Sequence, residues 1–214
     1  MPSRTDRLVD AARQAGVEDE RVLEAMAKVR RGAFVPGDLI DDAYTDRPLP
    51  IPHGQVTTQP SLVAAMVEAL ELEGHERVLE VGTGYGWQTA LLARLAAFVW
   101  TVERLPALAE AAARALVRQD VENVRIVVGD GTGGLPAQAP YDAIIVSAAH
   151  PRVPDPLVEQ LVPGGRLLQP IGEGGAEEVV LFQKSGTGRL ERQSTVISAH
   201  FVPLYGRHGF APTD

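Results

Sequence analysis

The sequence predicts an α/β fold built on a mostly parallel β-sheet with helices on both faces, an N-terminal helical extension and a C-terminal β-hairpin. From residue 78 onward, short apolar runs alternate with stretches of helical periodicity, which is typical of parallel strands connected by helices. Hydrophobic residues make up 45% and charged residues 22% of the 214 residues, as in proteins that bury a full core. The alternation and the composition together predict this fold class.

Two short helices are expected at the start of the chain. Apolar residues recur at helical spacing on both sides of Gly16, and Asp19 is a residue type preferred at helix N-caps. The segment 33–60 follows with five prolines and little periodicity, so we expect an irregular loop of a length that usually serves a function. Pro60 suits the first position of the next helix.

The core elements follow from the β/α alternation, and the sequence after Gly172 adds two β-rich runs joined by the turn Ser185–Gly188. We expect these runs to form a hairpin at one edge of the sheet. The expected strands are Val78–Val81, Val99–Val102, Val124–Val128, Ala143–Val146 and Arg166–Leu168, and the expected helices among them are Trp87–Leu95, Ala107–Val117 and Asp155–Leu161. We expect a single domain: N-terminal helices and loop over residues 1–60, an α/β core over 61–172 and a β-rich edge over 173–214.

Composition and charge exclude several classes of function. The formal net charge is -8, with basic residues scattered, so we expect no nucleic-acid partner. The sequence contains no cysteine, which excludes disulfides, thiol nucleophiles and cysteine-ligated zinc. The charged N-terminus does not resemble a signal peptide, no apolar run suits a membrane span, and the five histidines are dispersed. We therefore expect a cytoplasmic protein with no membrane partner and no metal site. We also expect a monomer, although these observations do not bear on the oligomeric state.

The segment "VLEVGTGYGWQTA" places three glycines, Gly82, Gly84 and Gly86, between an expected strand and an expected helix. Such a turn presents backbone N–H groups at the carboxyl end of the strand, where small ligands bind in α/β folds. A dinucleotide fingerprint, G-x-G-x-x-G, would need a glycine where Trp87 stands. The pattern alone also fits a turn that only tightens the strand-to-helix corner.

Two acidic residues follow the next two strands. Glu103 comes 21 residues after Gly82, at the position where a carboxylate accepts hydrogen bonds from ribose hydroxyls. Asp130 ends the third strand and could accept from an adenine amino group, although an Asp-Gly turn would also use it. For Glu103, the alternative role is an exposed ion pair with its neighbour Arg104. Together with the glycine turn, these positions indicate a nucleoside ligand without a diphosphate, and S-adenosylmethionine fits that description.

The sequence around these positions resembles that of the protein-L-isoaspartate (D-aspartate) O-methyltransferases. The blocks that carry the resemblance span nearly the whole chain: "VLEAMAKVRRGAFVP", "AYTDRPLPIPHGQVTTQP", "VLEVGTGYGWQTA", "SAAHPRVPDPLVEQL" and the terminal "FVPL". The resemblance implies a class I S-adenosylmethionine-dependent methyltransferase (Rossmann-like) fold and transfer of a methyl group to the free α-carboxylate of L-isoaspartyl residues in peptides and proteins. S-adenosylhomocysteine would be the product, and the methyl ester would initiate repair by closing to a succinimide.

The resemblance also implies roles for individual residues. In the family's T-I-S-x-P loop element, register set by Pro60 places the serine on Thr58, while Val56 stands where bacterial members commonly carry threonine. Asp46 is expected to order the loop or touch substrate, with ordering favoured. The implied catalytic residues are Thr57, Thr58 and Asp46; the implied cofactor contacts are Gln55, Val56, Gly82, Thr83, Gly84, Gly86, Gln88, Glu103, Asp130 and Gly131; the implied substrate contacts are His53, Thr57, Thr58, Ser147, Ala148 and Ala149. Tyr85 and Trp87 are expected to pack the first core helix against the loop.

The reaction itself needs neither a general base nor a metal, because a carboxylate is already a nucleophile at neutral pH; orientation and exclusion of water suffice. Three alternatives remain open from the sequence. One is a specialised relative that methylates one dedicated peptide or protein. It is suggested by Val56 and Thr58, which differ from the residues of the family's loop element. An inactive relative that only binds is the second. The third, a nicotinamide-dependent oxidoreductase, is disfavoured by Trp87.

Overall fold

A seven-stranded β-sheet organises the chain, which a computed structural model describes over residues 3–211. A separate two-stranded hairpin, β1–β2, lies in the segment before it. The strands are β1 (Leu49–Ile51), β2 (Gln55–Thr57), β3 (Arg77–Val81), β4 (Phe98–Glu103), β5 (Val124–Val128), β6 (Tyr141–Val146), β7 (Leu161–Ile171), β8 (Glu177–Lys184) and β9 (Leu190–Ala199). The helices are α1 (Arg4–Gln14), α2 (Glu20–Lys28), α3 (Pro60–Glu68), α4 (Trp87–Leu95), α5 (Pro106–Arg118) and α6 (Asp155–Gln160).

The strand order in the large sheet is β5-β4-β3-β6-β7-β8-β9. The first five of these strands run parallel, while β8 and β9 pair antiparallel and extend one edge. The chain order reverses beside β3, because β4 lies on one side of it and β6 on the other. Ligands bind at such a switch point in open α/β sheets. The predicted fold class, including the C-terminal hairpin at a sheet edge, is confirmed.

The two faces of the sheet have separate cores and unequal cover. On β3, Val78 packs into a large cluster with residues of α1 to α5, whereas the next residue, Leu79, packs into a second cluster on the opposite face. That second cluster is covered by Leu157 of the six-residue α6 and by Leu204 of the C-terminal segment. Strand alternation therefore directs successive side chains into two different environments.

Capping residues define the N-terminal helices. The Ser3 hydroxyl accepts from the Asp6 amide, and the Asp6 carboxylate accepts from the Ser3 amide, which forms a capping box at α1. The Asp19 carboxylate accepts from the Arg21 amide and caps α2, as predicted. Pro60 occupies the first turn of α3. Two short helices and a proline-initiated third are thus confirmed.

The structure differs most from the sequence-based expectation in the loop before α3 and at β7, while other bounds shift by one or two residues. The segment 33–60, expected to be irregular, contains 3₁₀ turns at Gly37–Leu39 and Asp42–Tyr44 and the end of one at Arg31–Phe34, in addition to the β1–β2 hairpin. Strand β7 is longer than the expected Arg166–Leu168, because β8 pairs with it as far as Ile171 and Leu161 pairs with Tyr141. As a result, α6 ends at Gln160, one residue earlier than expected. Over the part of the chain described, no helix is both long and apolar enough to cross a membrane.

Candidate active site

A crevice opens at the carboxyl ends of β3, β4 and β6, with an empty volume of about 960 Å³ that includes open solvent. Its walls include the glycine turn after β3, the end of the β1–β2 hairpin, the end of β4, the residues that follow β6, and the C-terminal segment around residues 202–205. Of the residues implied as site residues, those that line the crevice are Gln55, Val56, Thr57, Thr58, Gly82, Thr83, Gly84, Gly86, Gln88, Glu103, Gly131, Ser147 and Ala148. The fold thus brings most of the implied residues together.

The glycine turn has a backbone that only glycine adopts readily. Gly82, Gly84 and Gly86 have φ values of 99°, 56° and 89°. Gly86 is also the N-cap of α4, and a Cβ atom there would lie 3.1 Å from the Cβ of Ala112 on α5. The glycines therefore allow a left-handed turn and close packing of two helices behind the crevice wall.

Glu103 ends β4 with its carboxylate at the crevice and is only 6% exposed. One carboxylate oxygen accepts from the Gly84 amide at 2.9 Å, and the other accepts from the Leu105 amide at 3.0 Å. Arg104 stacks over the Tyr205 ring at 5.2 Å, and within residues 3–211 it forms no ion pair with Glu103. Because a carboxylate accepts about four hydrogen bonds, Glu103 keeps capacity for two more.

A buried carboxylate lies behind the turn. Glu80 of β3 is fully buried and accepts hydrogen bonds from the Gln88 amide and from the hydroxyls of Thr89 and Thr101. Burial raises the pKa of Glu80 to about 7, against the lowering effect of the three donors. Gln88 also donates to the Ser147 hydroxyl at 2.9 Å, so the network connects the core to the crevice wall. Sequence reasoning placed Glu80 only in a strand and missed this network.

On the opposite wall, Arg31 and Asp46 fix the loop that carries Thr57 and Thr58. Arg31 is 1% exposed and donates to loop oxygens, including the Thr57 hydroxyl. The Asp46 carboxylate accepts from the amide and hydroxyl of Ser61 and from the Gln59 side chain. Asp46 does not line the crevice, so its contacts favour the ordering role. Trp87 packs beside Arg31 and donates to the Val29 carbonyl, in agreement with the expected packing of α4 against this region.

Three further implied residues lie outside the crevice lining. The Asp130 carboxylate accepts from Thr132 and from the Arg207 amide; burial alone would raise its pKa, but these hydrogen bonds lower it below the ordinary value. His53 is exposed in the turn between β1 and β2. The backbone of Ala149 pairs with Val202 and Leu204 and so anchors the C-terminal segment. Their implied contacts with ligands remain predictions.

The C-terminal segment is the part of the crevice that sequence reasoning did not assign. Val202, Pro203, Leu204 and Tyr205 line it beside the glycine turn. The only signal in the sequence was the block "FVPL", which carried family resemblance but no role. His150 packs edge-on against Phe210 of the same segment at 4.9 Å, which gives this histidine a structural contact.

Comparison with known proteins gives consistent relatives over nearly the whole chain. The family model described as protein-L-isoaspartate(D-aspartate) O-methyltransferase matches residues 3–209. A protein named protein-L-isoaspartate O-methyltransferase from Anaeromyxobacter dehalogenans is 53% identical over 191 residues, covering 88% of this chain and 91% of the relative. One of the same name from Methanoculleus marisnigri is 51% identical over 198 residues, covering 92% and 89% respectively.

Solved structures show the same similarity. A structure named protein-L-isoaspartate O-methyltransferase superposes with a TM-score of 0.82 at 29% identity, covering 96% of this chain and 67% of that chain. A Plasmodium falciparum protein solved in complex with S-adenosyl-L-homocysteine superposes with a TM-score of 0.78 at 22% identity, covering 96% of this chain and 99% of that chain. At 22% identity, the similarity to the Plasmodium falciparum structure shows only that the two proteins share a fold.

Proposed function

The chain belongs to the protein-L-isoaspartate(D-aspartate) O-methyltransferase family, and from this membership we propose that it methylates the free α-carboxylate of L-isoaspartyl residues in peptides and proteins, using S-adenosylmethionine. One observation carries the proposal beyond family membership. A single crevice holds the glycine turn and Glu103 on one wall, and Thr57 and Thr58 on the other. Groups suited to the nucleoside and groups suited to a carboxylate therefore face the same space.

The first wall fits a nucleoside cofactor. Glu103 would hold the ribose hydroxyls, because its carboxylate is fixed by two backbone amides and has acceptor capacity left. Val102, Leu108 and Leu204 give that part of the crevice apolar surface suited to a flat base. When bound, S-adenosylmethionine supplies a methyl group made electrophilic by the sulfonium charge. A nicotinamide dinucleotide fits less well, because Trp87 stands where a diphosphate-binding turn needs its last glycine.

The second wall fits an anionic substrate group. Thr58 lines the crevice, and within residues 3–211 neither its amide nor its hydroxyl donates to another protein group. Two donors on one residue can bind the two oxygens of a carboxylate with charge-assisted hydrogen bonds. We propose that Thr58 holds the isoaspartyl α-carboxylate in this way. The carboxylate of normal aspartate lies elsewhere relative to the peptide chain, and this difference would give the selectivity.

In the proposed mechanism, the protein contributes placement and exclusion of water. Thr58 orients the substrate carboxylate, and Glu103 with the glycine turn fixes the other reactant. Ser147 and Ala148 close the crevice with small side chains that leave room for the transferred group. A carboxylate oxygen then forms the new bond to carbon as the carbon–sulfur bond breaks, and no proton has to move. The ester would initiate repair by closing to a succinimide that reopens partly as aspartate.

The experiment is transfer of labelled methyl from S-adenosylmethionine to two short peptides that differ only in isoaspartate against aspartate. We expect base-labile label on the isoaspartyl peptide alone. No transfer to either, despite binding of S-adenosylhomocysteine in a thermal-shift assay, would refute the general repair activity and favour the specialised relative. Stabilisation by NAD instead of S-adenosylhomocysteine would favour the oxidoreductase.

We further propose a cytoplasmic monomer that folds as one domain and binds no nucleic acid. The net charge of -8 supports the last point, since it repels phosphate backbones. The large core cluster, which joins α1 and α2 to the sheet, supports the single domain. Light scattering on a size-exclusion column would test the monomer, and a single cooperative unfolding transition would test the single domain.

A further inference from the structure

Arg31 is a buried cation behind the crevice wall that carries Thr57 and Thr58, which we call the substrate wall. Neither the implied site residues nor the proposed mechanism uses it. It follows α2 in the 3₁₀ turn Arg31–Phe34 and is 1% exposed. Within residues 3–211 no carboxylate forms an ion pair with it. Its guanidinium lies 5.6 Å from the Trp87 ring, and Trp87 lines the crevice. Arg31 therefore touches both the helix that follows the glycine turn and the loop of the opposite wall.

The guanidinium donates to the loop at five points. Nη1 donates to the carbonyls of Ala43 and Thr45 at 3.0 and 3.1 Å. Nη2 donates to the carbonyls of Arg47 and Thr58, both at 3.2 Å, and to the Thr57 hydroxyl at 2.8 Å. Two of the five contacts therefore hold Thr57 and Thr58, the two threonines of the substrate wall.

The contact with Thr57 fixes the direction of a hydroxyl proton. Thr57 Oγ1 accepts from Arg31 Nη2 and also from the Leu49 amide at 3.3 Å. Both partners are donors only, so the two lone pairs of the hydroxyl are used and its proton has to be donated elsewhere. Among residues 3–211 no acceptor takes that proton, and Thr57 lines the crevice.

We propose that Arg31 is a positioning residue for the substrate carboxylate, because its hydrogen bond to Thr57 Oγ1 commits the Thr57 hydroxyl to donate into the crevice. This inference rests on the proposed function. The Thr57 hydroxyl is then a third donor beside the amide and hydroxyl of Thr58. Arg31 acts on the substrate through Thr57.

The direction of the Thr57 side chain follows from its place in β2. Val56 is 45% exposed on β2, while its neighbour Thr57 is turned toward Arg31. Successive side chains of a strand point to opposite sides, so Thr57, and not Val56, lies on the side of the guanidinium.

The charge of Arg31 adds to the effect of its hydrogen bond. Burial lowers the pKa of Arg31 to about 10, with the charge of Asp46 acting in the opposite direction, so the guanidinium stays protonated at neutral pH. A buried cation is poorly screened by solvent and favours a nearby anion. The isoaspartyl α-carboxylate is the anion that the proposed reaction brings to this wall.

The test compares Thr57→Val with Thr57→Ser in steady-state methyl transfer to an isoaspartyl peptide. Thr57→Val removes the hydroxyl, so we expect KM for the peptide to rise about tenfold or more, as for loss of a hydrogen bond to a charged group. Thr57→Ser keeps the hydroxyl, and we expect it to recover most of that loss. The Kd for S-adenosylhomocysteine should stay within about twofold of wild type in both, since the other wall is unchanged.

Two further variants complete the design. Thr187→Val makes the same chemical change in the exposed β8–β9 turn and should leave KM unaltered. Arg31→Lys keeps the charge but loses the planar fork, so it should raise KM in the wild-type background and raise it less in a Thr57→Val background. An equal KM for Thr57→Val and wild type would overturn the inference, as would equal losses for Thr57→Val and Thr57→Ser. Absence of activity in the wild-type enzyme would instead refute the proposed function.

Discussion

At the scale of single residues, cofactor affinity is expected to depend most on Glu103. Replacing Glu103 with alanine should raise the Kd for S-adenosylhomocysteine about tenfold or more, because two charge-assisted hydrogen bonds to the ribose are lost. Isothermal titration calorimetry would measure this change. Glu110→Ala on the exposed face of α5 is a matched control that should leave the Kd unaltered. An unchanged Kd for Glu103→Ala would remove Glu103 from the site.

Thr58 is expected to act on the substrate side. Thr58→Val removes a crevice donor while the Thr58 carbonyl can still accept from Arg31, so kcat/KM for the isoaspartyl peptide should fall about tenfold or more. Affinity for S-adenosylhomocysteine should change much less. Thr58→Ser, which installs the residue of the family element, should keep most of the activity. Equal losses in peptide turnover and cofactor affinity would contradict the substrate-side role.

Glu80 should make stability depend on pH in an unusual direction. Its pKa rises from 4.5 to about 7 on folding, mainly through burial, so the folded chain holds a proton that the unfolded chain releases between these pH values. The resulting stabilisation is fully present below pH 4.5 and is lost as the pH rises through 7. Relative to Glu80→Gln, the free energy of unfolding of the wild type should fall by about 3 kcal/mol between pH 4.5 and pH 8. Urea unfolding at the two pH values would measure it, and parallel changes in both proteins would refute it.

Site residues could be identified from the sequence where their role follows from local spacing, and were missed where it depends on long-range contacts. The three glycines and Glu103 are readable because a strand, a turn and the end of the next strand have fixed separations in this fold. Arg31 is not readable in that way, since its partners lie 12 to 27 residues further along the chain in a loop without periodicity. Its neighbour Arg30 looks the same in the sequence.

At the scale of elements, the C-terminal segment after β9 is held over the end of β5 by tight packing. Gly206 has a φ of 153°, and a Cβ atom there would overlap the Asp130 carboxylate, which accepts from the Arg207 amide. We expect Gly206→Ala to lower the free energy of unfolding by about 1 to 3 kcal/mol. It should also weaken binding of S-adenosylhomocysteine, because Leu204 and Tyr205 of this segment line the crevice.

Gly186 in the β8–β9 turn provides the matched control for Gly206, because a Cβ atom there meets open space. Urea unfolding and calorimetric Kd values would be compared for the two alanine variants. If Gly206→Ala behaved like Gly186→Ala in both measurements, the packing account of this segment would be wrong.

The loop elements before α3 show why short elements escape sequence analysis. Strands β1 and β2 have three residues each, which is too short for a two-residue periodicity to be recognised, and Pro50 lies inside β1. They pair in a register that places Leu49 opposite Thr57, and Arg31, 26 residues before Thr57, donates to the Thr57 hydroxyl. By contrast, the bounds of α4, predicted as Trp87–Leu95, agree with the structure.

At the scale of the whole molecule, the alternation of strands and helices was enough to predict the parallel sheet, and the two β-rich runs around Ser185–Gly188 predicted its antiparallel edge. The alternation did not predict the unequal cover of the two faces, where five helices pack into one core and α6 covers the other. The difference in helical cover depends on which connections between strands form full helices. The connection between β5 and β6 forms only two 3₁₀ turns, Gly131–Gly133 and Pro136–Gln138. The thin side leaves space for the C-terminal segment to reach the crevice.

In the proposed reaction, the methyl group goes to the α-carboxylate of an isoaspartyl residue. The most direct test measures labelled methyl transfer to an isoaspartyl peptide and to the same peptide with that carboxylate converted to a carboxamide. We predict base-labile label on the first peptide and none on the second, because the amide offers neither the nucleophilic oxygen nor the charge that Thr58 would bind. Equal labelling of both peptides would show that another group accepts the methyl and would contradict the account.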